Sequence, residues 1–505
     1  MKRLAALLVI ALFAFPAFCQ DEVDDFMKKA NDSYSSFLNE AQNDYVKFRQ
    51  EINKNYAEFL RKKWEPVNLE PPVPVPIKKD NSVPPEVVPK KDRDKENETK
   101  PVVIDTVITV KDKPVVQPKP IVPIVPPPVV PKEEPNPVDN SFSFTLYGTT
   151  FTVNLDPSIK FKLDAFGQKY FADEWVRLSE NPATDRLISD CLKIRSDYKL
   201  CDWFYLQTLD TLCKKIFGGE CNEATLLEAF IYCQSGYKMR LATTNPNKLL
   251  MLFGSNNSIY KKSFFVSNSE NFYLLNGDEK EIYIMNSSFP GEKPLSLTLP
   301  YDQKLDLNLS DPRKVTLVNY PAISVTYQSN KNLIDFYNSY PESIENNDFT
   351  TKWVFYANAP IAQCVKDKLY PELQQAIAGK SQRDAANILI DFVESFTYGY
   401  DTQIWGDDRA FFANETLYYP YSDCEDHAIL YTRLVRDLMG LKTALIYYPG
   451  HIAAAVEFNE TIPGSYIDYG NRRYTVCDPT IYYSGIGRTM TGMQNATATM
   501  IVLDK

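Results

Sequence analysis

Three short stretches near the carboxyl end of this 505-residue chain decide its fold and its candidate chemistry. They read S-D-C-E-D-H-A-I-L (422–430), Y-Y-P-G-H-I-A-A-A-V (447–456) and Y-T-V-C-D-P-T (474–480). They place Cys424, His451 and Asp478 in that order, each 27 residues from the next. A thiol nucleophile, a base that takes its proton and a carboxylate that orients the base are the minimal parts of cysteine acyl-transfer chemistry. These three are therefore the candidate catalytic residues.

The local pattern around each candidate predicts where it lies. Cys424 opens an apolar helix that Gly440 ends, so unpaired amides and the helix dipole would favour its thiolate. His451 follows a Pro-Gly turn and begins a strand, and Asp478 ends the next strand before a proline. Because neighbouring antiparallel strands bring side chains together, we expect His451 and Asp478 to lie within hydrogen-bond reach.

The surroundings of Cys424 make a base necessary. Three acidic residues flank it, and their negative charge would raise the pKa of the thiol. They are Asp423, Glu425 and Asp426. The chain holds only two histidines, His427 and His451. His427 lies one turn along the same helix, where no adjacent strand presents a carboxylate, so we assign the base to His451 and expect His427 to pack or hydrogen-bond locally.

With these residues in place, the chain resembles the transglutaminase-like superfamily of papain-type thiol enzymes. Y-P-Y-S-D-C-E-D-H-A, Y-P-G-H-I-A-A-A-V and C-D-P-T look like the three signatures of its exported bacterial members, over roughly residues 380–490. The resemblance implies a helix packed on an antiparallel sheet, no cofactor, and acyl transfer at an amide through a thioester. Water would complete the reaction in a peptidase, and an amine in a crosslinking enzyme. Gln403 and Trp405 are candidates for a second oxyanion donor.

Two other interpretations stay open. Cys424, His427, His451 and Cys477 form a Cys₂His₂ set, although structural zinc sites usually have paired short spacings at both ends. The same fold also hosts inactive proteins, so a scaffold or binding protein of the cell envelope is the second alternative.

The first residues predict export. Residues 1–19 combine Lys2 and Arg3, an apolar run and small residues before the expected cleavage, as in a secretory signal peptide. Lipid attachment at Cys19 would require a small residue before it, and Phe18 is bulky, so ordinary cleavage after Cys19 fits better. We expect a periplasmic, cell-surface or secreted protein without a later membrane helix, because no other apolar run approaches about 20 residues.

Residues 20–140 predict a helix followed by a spacer. In residues 20–65, Tyr/Phe pairs recur every 11 residues, which places them on one stripe of a long helix. The pairs are Tyr34/Phe37, Tyr45/Phe48 and Tyr56/Phe59. Such a stripe needs a partner, which can be the protein itself, a second copy or a cell-envelope component. More than half of the 35 prolines fall within 66–140, a composition typical of a disordered, extended linker.

The remaining chain predicts an α+β protein with two domains. Residues 141–345 contain a predicted strand pair, then helices, then short β-rich runs, and residues 346–505 form the transglutaminase-like domain. Asn222–Arg240 ends S-G-Y-K-M-R and Glu425–Ala444 ends M-G-L-K-T-A, each after an apolar helix. The first domain can therefore be a degenerate copy of the second, without a histidine.

Composition restricts the partners. A net charge of −10 without a basic cluster argues against nucleic acid, so the expected partner is a protein or peptide substrate. Five of the cysteines fall between residues 191 and 233, where an oxidising compartment could pair some of them.

Overall fold

The computed structural model describes residues 46–75, 84–109 and 140–503, except positions 94, 96 and 346. The predicted signal peptide, the first part of the 20–65 helix, and residues 76–83 and 110–139 of the predicted linker lie outside these ranges. The fold is α+β, with an amino lobe (residues 140–345) and a carboxy lobe (residues 347–503), each built around one six-stranded sheet. None of the helices in the described part of the chain has both the length and the apolar character that a membrane crossing requires.

Helix α1 (residues 46–60) docks on the amino lobe. Tyr56 is buried, and its ring lies 5.0 Å from that of Trp175. Asn53 accepts a hydrogen bond from the Trp175 indole, at 2.8 Å. The predicted stripe is only partly buried, however, because Phe48 and Phe59 are 59% and 39% exposed. Of the partners considered for this helix, its described part therefore uses the protein itself, through the tyrosine side of the stripe.

The prediction of a linker over residues 66–140 is wrong for three short segments. Strands β1 (Glu65–Asn68), β2 (Glu86–Val87) and β3 (Ile104–Thr109) all pair with strands of the lobes. The sequence of β3, I-D-T-V-I-T, contains no proline and can donate and accept along its whole length. The prolines dominate the composition, but they leave such stretches between them.

The amino lobe follows the order predicted for residues 141–345, a strand pair, then helices, then a β-rich region. Its elements are β4 (Ser141–Leu146), β5 (Thr149–Asn154), α2 (Gln168–Glu180), α3 (Pro182–Asp197), α4 (Asp202–Phe217), α5 (Asn222–Gln234), β6 (Met239–Thr244), β7 (Lys248–Ser255), β8 (Asn257–Ile259), β9 (Phe264–Ser267), β10 (Glu270–Leu274), β11 (Glu281–Met285), β12 (Arg313–Thr316), β13 (Ser324–Tyr327), α6 (Lys331–Asn338) and β14 (Ser343–Glu345). Its sheet has the order β9-β10-β7-β6-β11-β1, with every neighbouring pair antiparallel.

The carboxy lobe places helices before its sheet. Its elements are α7 (Thr351–Asn358), α8 (Gln363–Ile377), α9 (Gln382–Glu394), β15 (Thr397–Tyr398), α10 (Asp401–Ile404), α11 (Ala413–Tyr418), β16 (Tyr421–Ser422), α12 (Cys424–Met439), β17 (Lys442–Tyr448), β18 (His451–Glu457), β19 (Tyr466–Tyr469), β20 (Arg472–Cys477), β21 (Ile481–Tyr482) and β22 (Ala498–Leu503). Its sheet has the order β19-β20-β18-β17-β22-β3, and only the β22–β3 pair is parallel.

The two sheets have the same topology. In each lobe a helix leads into a hairpin, β6–β7 or β17–β18. Beside the second hairpin strand lies β10 or β20, and beyond it lies the strand that precedes it in the sheet's chain order, β9 or β19. Beside the first hairpin strand lies β11 or β22. The edge strand beyond β11 or β22 is β1 or β3, which comes from the segment that precedes residue 110. The helix, α5 or α12, packs on its own hairpin in both cases. One continuous apolar core joins the lobes.

Candidate active site

Cys424 is the first residue of α12, as the sequence predicts, and Gly440 ends the helix in the left-handed conformation, with φ of 66°. The Asp426 side chain accepts a hydrogen bond from the Asp423 amide, which fixes the first turn. Cys424 is 4% exposed, and its thiol donates to the Glu425 carboxylate at 3.2 Å. The candidate nucleophile thus lies at a helix start, nearly buried and beside a carboxylate.

Because α12 and β17 have nearly equal lengths, the chain returns along β17 to the end of the lobe where Cys424 lies. The helix has 16 residues and spans about 24 Å at 1.5 Å per residue. After Gly440 the chain reverses into β17, whose seven residues span about 23 Å. The following turn and the first residue of β18, His451, therefore lie at the same end of the lobe as the start of α12, which packs on β18.

His451 and Asp478 form a buried pair. His451 Nε2 lies 2.8 Å from Asp478 Oδ2, and both side chains are 1% exposed. The pairing of β18 with β20 brings them together, because Asp478 follows the last residue of β20. With Nε2 bound to the carboxylate, Nδ1 is the ring nitrogen left to exchange a proton with a nucleophile.

Thr480 holds the Asp478 carboxylate in place. Its amide and its hydroxyl both donate to Asp478 Oδ1, at 3.0 and 2.5 Å, so that Oδ2 faces His451. The C-D-P-T stretch therefore supplies both the carboxylate and its anchor. Sequence reasoning identified Asp478 and missed the role of Thr480, which the Asx-turn pattern D-x-T could have indicated.

Five buried carboxylic acids surround the start of α12. They are Asp401, Asp408, Asp423, Glu425 and Asp426. Their oxygens form groups of three within 4.8 Å, and one group includes the Cys424 sulfur. Burial, then the charges of Asp401 and Glu425, raise the pKa of Asp426 well above its usual range. These are the residues that could hold a hard divalent cation such as Ca²⁺.

The loop before α11 adds a cation near this cluster. The Arg409 amide donates to Asp401 Oδ2 at 2.8 Å, and the Arg409 guanidinium is hydrogen-bonded to Glu415. Burial raises the pKa of Glu415 to about 7, although Arg409 opposes this shift. Sequence reasoning missed Asp401 and Asp408, because residues so far from Cys424 along the chain give no local signal.

The two predicted oxyanion candidates lie on and just after α10. Gln403 is exposed on α10, and Trp405 packs edge-on against Phe411 and Tyr419, with ring separations of 5.7 and 4.9 Å. The backbone amides at the start of α12 are the donors that lie beside Cys424.

The Cys₂His₂ interpretation does not fit the geometry. His427 Nε2 pairs with Ser422 Oγ at 2.9 Å, the local hydrogen bond that was expected of it. Cys477 Sγ points to the Thr475 carbonyl at 3.5 Å. Among the described residues, the groups that could share a metal ion do not include the set of Cys424, His427, His451 and Cys477.

The two histidines differ in role. Burial lowers the pKa of His427 to about 4, with the Pro479 carbonyl and Asp478 acting in the opposite direction, so His427 is neutral at neutral pH. His451, in contrast, has a carboxylate partner that would stabilise an imidazolium.

All eight cysteines between Cys191 and Cys477 are free thiols, so the expected pairing in the 191–233 region is absent from the described structure. Four of those five are buried, and Cys201 and Cys221 use their sulfur to cap helices α4 and α5. Burial raises the pKa of Cys201 to about 12, which makes it unreactive at neutral pH.

Comparison of the chain with protein-family models, with curated proteins and with solved structures gives no match, and its function is therefore inferred from the geometry of these residues.

Proposed function

We propose that this protein is a thiol enzyme that cleaves or transfers amide bonds in a protein or peptide outside the cytoplasm. The observation that carries the proposal is the buried His451–Asp478 pair at 2.8 Å, in which His451 belongs to the hairpin against which the helix of Cys424 packs. The helix on an antiparallel sheet and the three motifs support a transglutaminase-like domain. In this proposal Cys424 is the nucleophile, His451 the base and Asp478 the residue that orients the base.

The reaction follows from these roles. His451 Nδ1 takes the proton of the Cys424 thiol, and the sulfur attacks the carbonyl carbon of the amide. Amides at the start of α12 stabilise the oxyanion. The imidazolium then returns the proton to the leaving amine as the C–N bond breaks, which leaves a thioester on Cys424. Water or a second amine then attacks the thioester carbon and gives its proton to His451. The C–S bond breaks, the product acid or amide leaves, and the imidazolium returns the proton to the sulfur, which restores the thiol.

Glu425 sets the resting state of the thiol in this mechanism. Its carboxylate accepts from the Cys424 thiol at 3.2 Å, so a negative charge beside the sulfur opposes thiolate formation. The helix start and the imidazolium of His451 act in the opposite direction. We therefore expect thiolate formation at Cys424 to depend on the imidazolium of His451, which offsets the charge of Glu425.

The first test is the alkylation rate of Cys424 by iodoacetamide at mildly acidic pH, followed by mass spectrometry of the peptide. We expect a rate well above that of an ordinary thiol, and a large loss in His451→Ala. Glu281→Gln, at an exposed position of the other lobe, is the control and should leave the rate unchanged. An ordinary rate that His451→Ala does not alter would support the inactive-scaffold interpretation and contradict the proposal.

A second test separates hydrolysis from transfer. The protein is incubated with a glutamine-containing protein and a labelled primary amine. Incorporation of the label that is lost in Cys424→Ala indicates transfer, whereas release of ammonia or of peptides without incorporation indicates hydrolysis. Neither product from a range of protein substrates would count against the enzyme.

A further inference from the structure

The amino lobe has a cleft at the start of α5. Its volume is about 350 Å³, within the size range of small-ligand sites. Its walls come from α4, α5, the β6–β7 turn and the chain that follows β10, and its polar lining includes Asp210, Lys214, Asn222, Glu228, Lys248 and Asn276.

This cleft occupies the position that the candidate active site has in the carboxy lobe. α5 has 13 residues and spans about 20 Å, and the six residues of β6 span about the same length, so the chain again returns to the helix start. Lys248 opens the second strand of its hairpin, as His451 does. Extending the β7–β10 register two residues beyond Leu274 places Asn276 where Asp478 lies.

The residues at these positions cannot carry out thiol chemistry. Asn222, the first residue of α5, stands in place of Cys424, and both histidines of the chain lie in the other lobe. Asn222 joins the helix to the hairpin instead, because its Nδ2 donates to the Asn247 carbonyl at 3.0 Å and its Oδ1 accepts from the Leu249 amide at 2.8 Å. These hydrogen bonds fix the start of α5 against the hairpin, and the cleft's one thiol, Cys221, has no histidine beside it in the described amino lobe.

One buried carboxyl in the cleft has no cation. Glu228 is 6% exposed, and its Oε1 has no hydrogen-bond partner. Lys214 already pairs with Asp210 and Glu220, at 2.9 and 3.1 Å, and Lys248 pairs with Glu279 at 3.7 Å. An unpartnered buried carboxyl costs free energy, which a cationic ligand would recover.

The rest of the lining indicates the kind of cation. Beside Glu228, the cleft is lined by aliphatic side chains that can contact a methylene chain. They are Leu249, Met251 and Leu275. A metal ion is a poorer fit, because among the described residues the groups of three or more possible ligands within 4.8 Å of one another all belong to the carboxy lobe.

We propose that this cleft binds the side chain of a lysine, with the methylene chain on the aliphatic wall and the ammonium group on Glu228. The site does not depend on the proposed catalysis. It would give the protein a second contact with a lysine-bearing protein or peptide, in a lobe that does no chemistry.

The test measures binding of Nα-acetyl-lysine amide by NMR or calorimetry, with the full chain carrying Cys424→Ala so that no turnover occurs. We expect saturable binding, and weaker or no binding of the neutral analogue Nα-acetyl-norleucine amide. Glu228→Gln should weaken lysine binding by about tenfold, the effect of removing a charge-assisted hydrogen bond. Glu281→Gln, at an exposed position of β11, is the matched control and should leave the affinity within twofold.

Each of the remaining outcomes would overturn the site. These are no saturable binding, equal binding of the norleucine analogue, or equal binding by Glu228→Gln while its circular dichroism and melting temperature show a folded protein. Tight binding of Ca²⁺ that competes with the lysine amide would identify a metal site instead. A Cys424 that proves unreactive leaves this result unaffected, so the two proposals fail separately.

Discussion

The two lobes share one strand order but differ in the residues at corresponding positions. At the helix start the carboxy lobe has Cys424 and the amino lobe has Asn222, and at the hairpin they have His451 and Lys248. Both sheets take their outer strand from the segment before residue 110, although that strand is antiparallel to its neighbour in the amino lobe and parallel to it in the carboxy lobe. One strand order thus presents different side chains at the helix start and the hairpin, and the fold alone does not determine function.

The largest effect should come from the contact that joins the chain just after α1 to the amino lobe. Trp64 is buried, and its ring lies 5.9 Å from that of Phe171. We expect Trp64→Ala to lower the free energy of unfolding by about 4 kcal/mol, because it leaves a large cavity. Phe59→Ala, at an exposed position of α1, should cost below about 1 kcal/mol. Urea unfolding would measure both, and equal effects would show that the amino lobe does not depend on this contact.

Acid stability should distinguish the lobes, because only the carboxy lobe contains histidine. The pKa of His427 is lowered from 6.5 to about 4, so the unfolded chain binds the proton more readily between these values. The contribution of neutral His427 to the free energy of unfolding is complete above pH 6.5. About 3 kcal/mol of it is lost as the pH falls towards 4. His427→Gln should therefore lose about that much less stability on acidification than the unsubstituted protein.

The prediction is tested by the difference in pH-dependent stability between the unsubstituted protein and His427→Gln. The pKa of Glu415 is raised to about 7, so Glu415 lowers stability as the pH rises from 4.5 towards 7, which is the opposite trend. This contribution is common to both proteins and cancels in the difference. Identical pH dependence of the free energy of unfolding would contradict the assignment to His427.

A direct comparison of two thiols tests the catalytic assignment. Cys221 lies one residue before Asn222, caps α5 and is more exposed than Cys424, but burial raises its pKa and the described amino lobe offers it no imidazole. We expect iodoacetamide at pH 6 to alkylate Cys424 about 100-fold faster than Cys221, a difference of about 2.7 kcal/mol in activation free energy. Faster reaction of Cys221 would mean that exposure, and not the His451–Asp478 pair, controls reactivity.

The smallest effect should come from the anchor of Asp478. Thr480→Val removes the hydroxyl that donates to Asp478 Oδ1, so the carboxylate can turn away from His451. We expect the alkylation rate of Cys424 to fall about tenfold, or about 1.4 kcal/mol. Thr475→Val, a buried position in β20, is the matched control. Equal rates in the two variants would show that the Asp478 orientation does not need Thr480. The described amino lobe has no such anchor at the corresponding position, because Asn276 donates instead to Asp210, at 3.0 Å.

Sequence reasoning was most successful where the signal is local. The start of α12 at Cys424, its end at Gly440, and the hairpin that presents His451 all follow from neighbouring residues. The pairing of β1 and β3 with the two sheets could not be predicted, because their hydrogen-bond partners lie hundreds of residues away and proline dominates the local composition. The cluster that includes Asp401 was missed for the same reason: tertiary packing brings it to Cys424.

The pairing of β3 with β22 has a consequence for when the carboxy lobe can form. Nearly 400 residues separate β3 from β22 along the chain, yet they are hydrogen-bonded neighbours. A ribosome makes β3 long before β22, so this sheet cannot close until β22 has been synthesised. In a chain that crosses a membrane unfolded, the site around Cys424 would mature only after β22 has arrived on the far side. The amino lobe, whose strands β1 and β11 are both made earlier, can form first and serve as the surface on which the second lobe assembles.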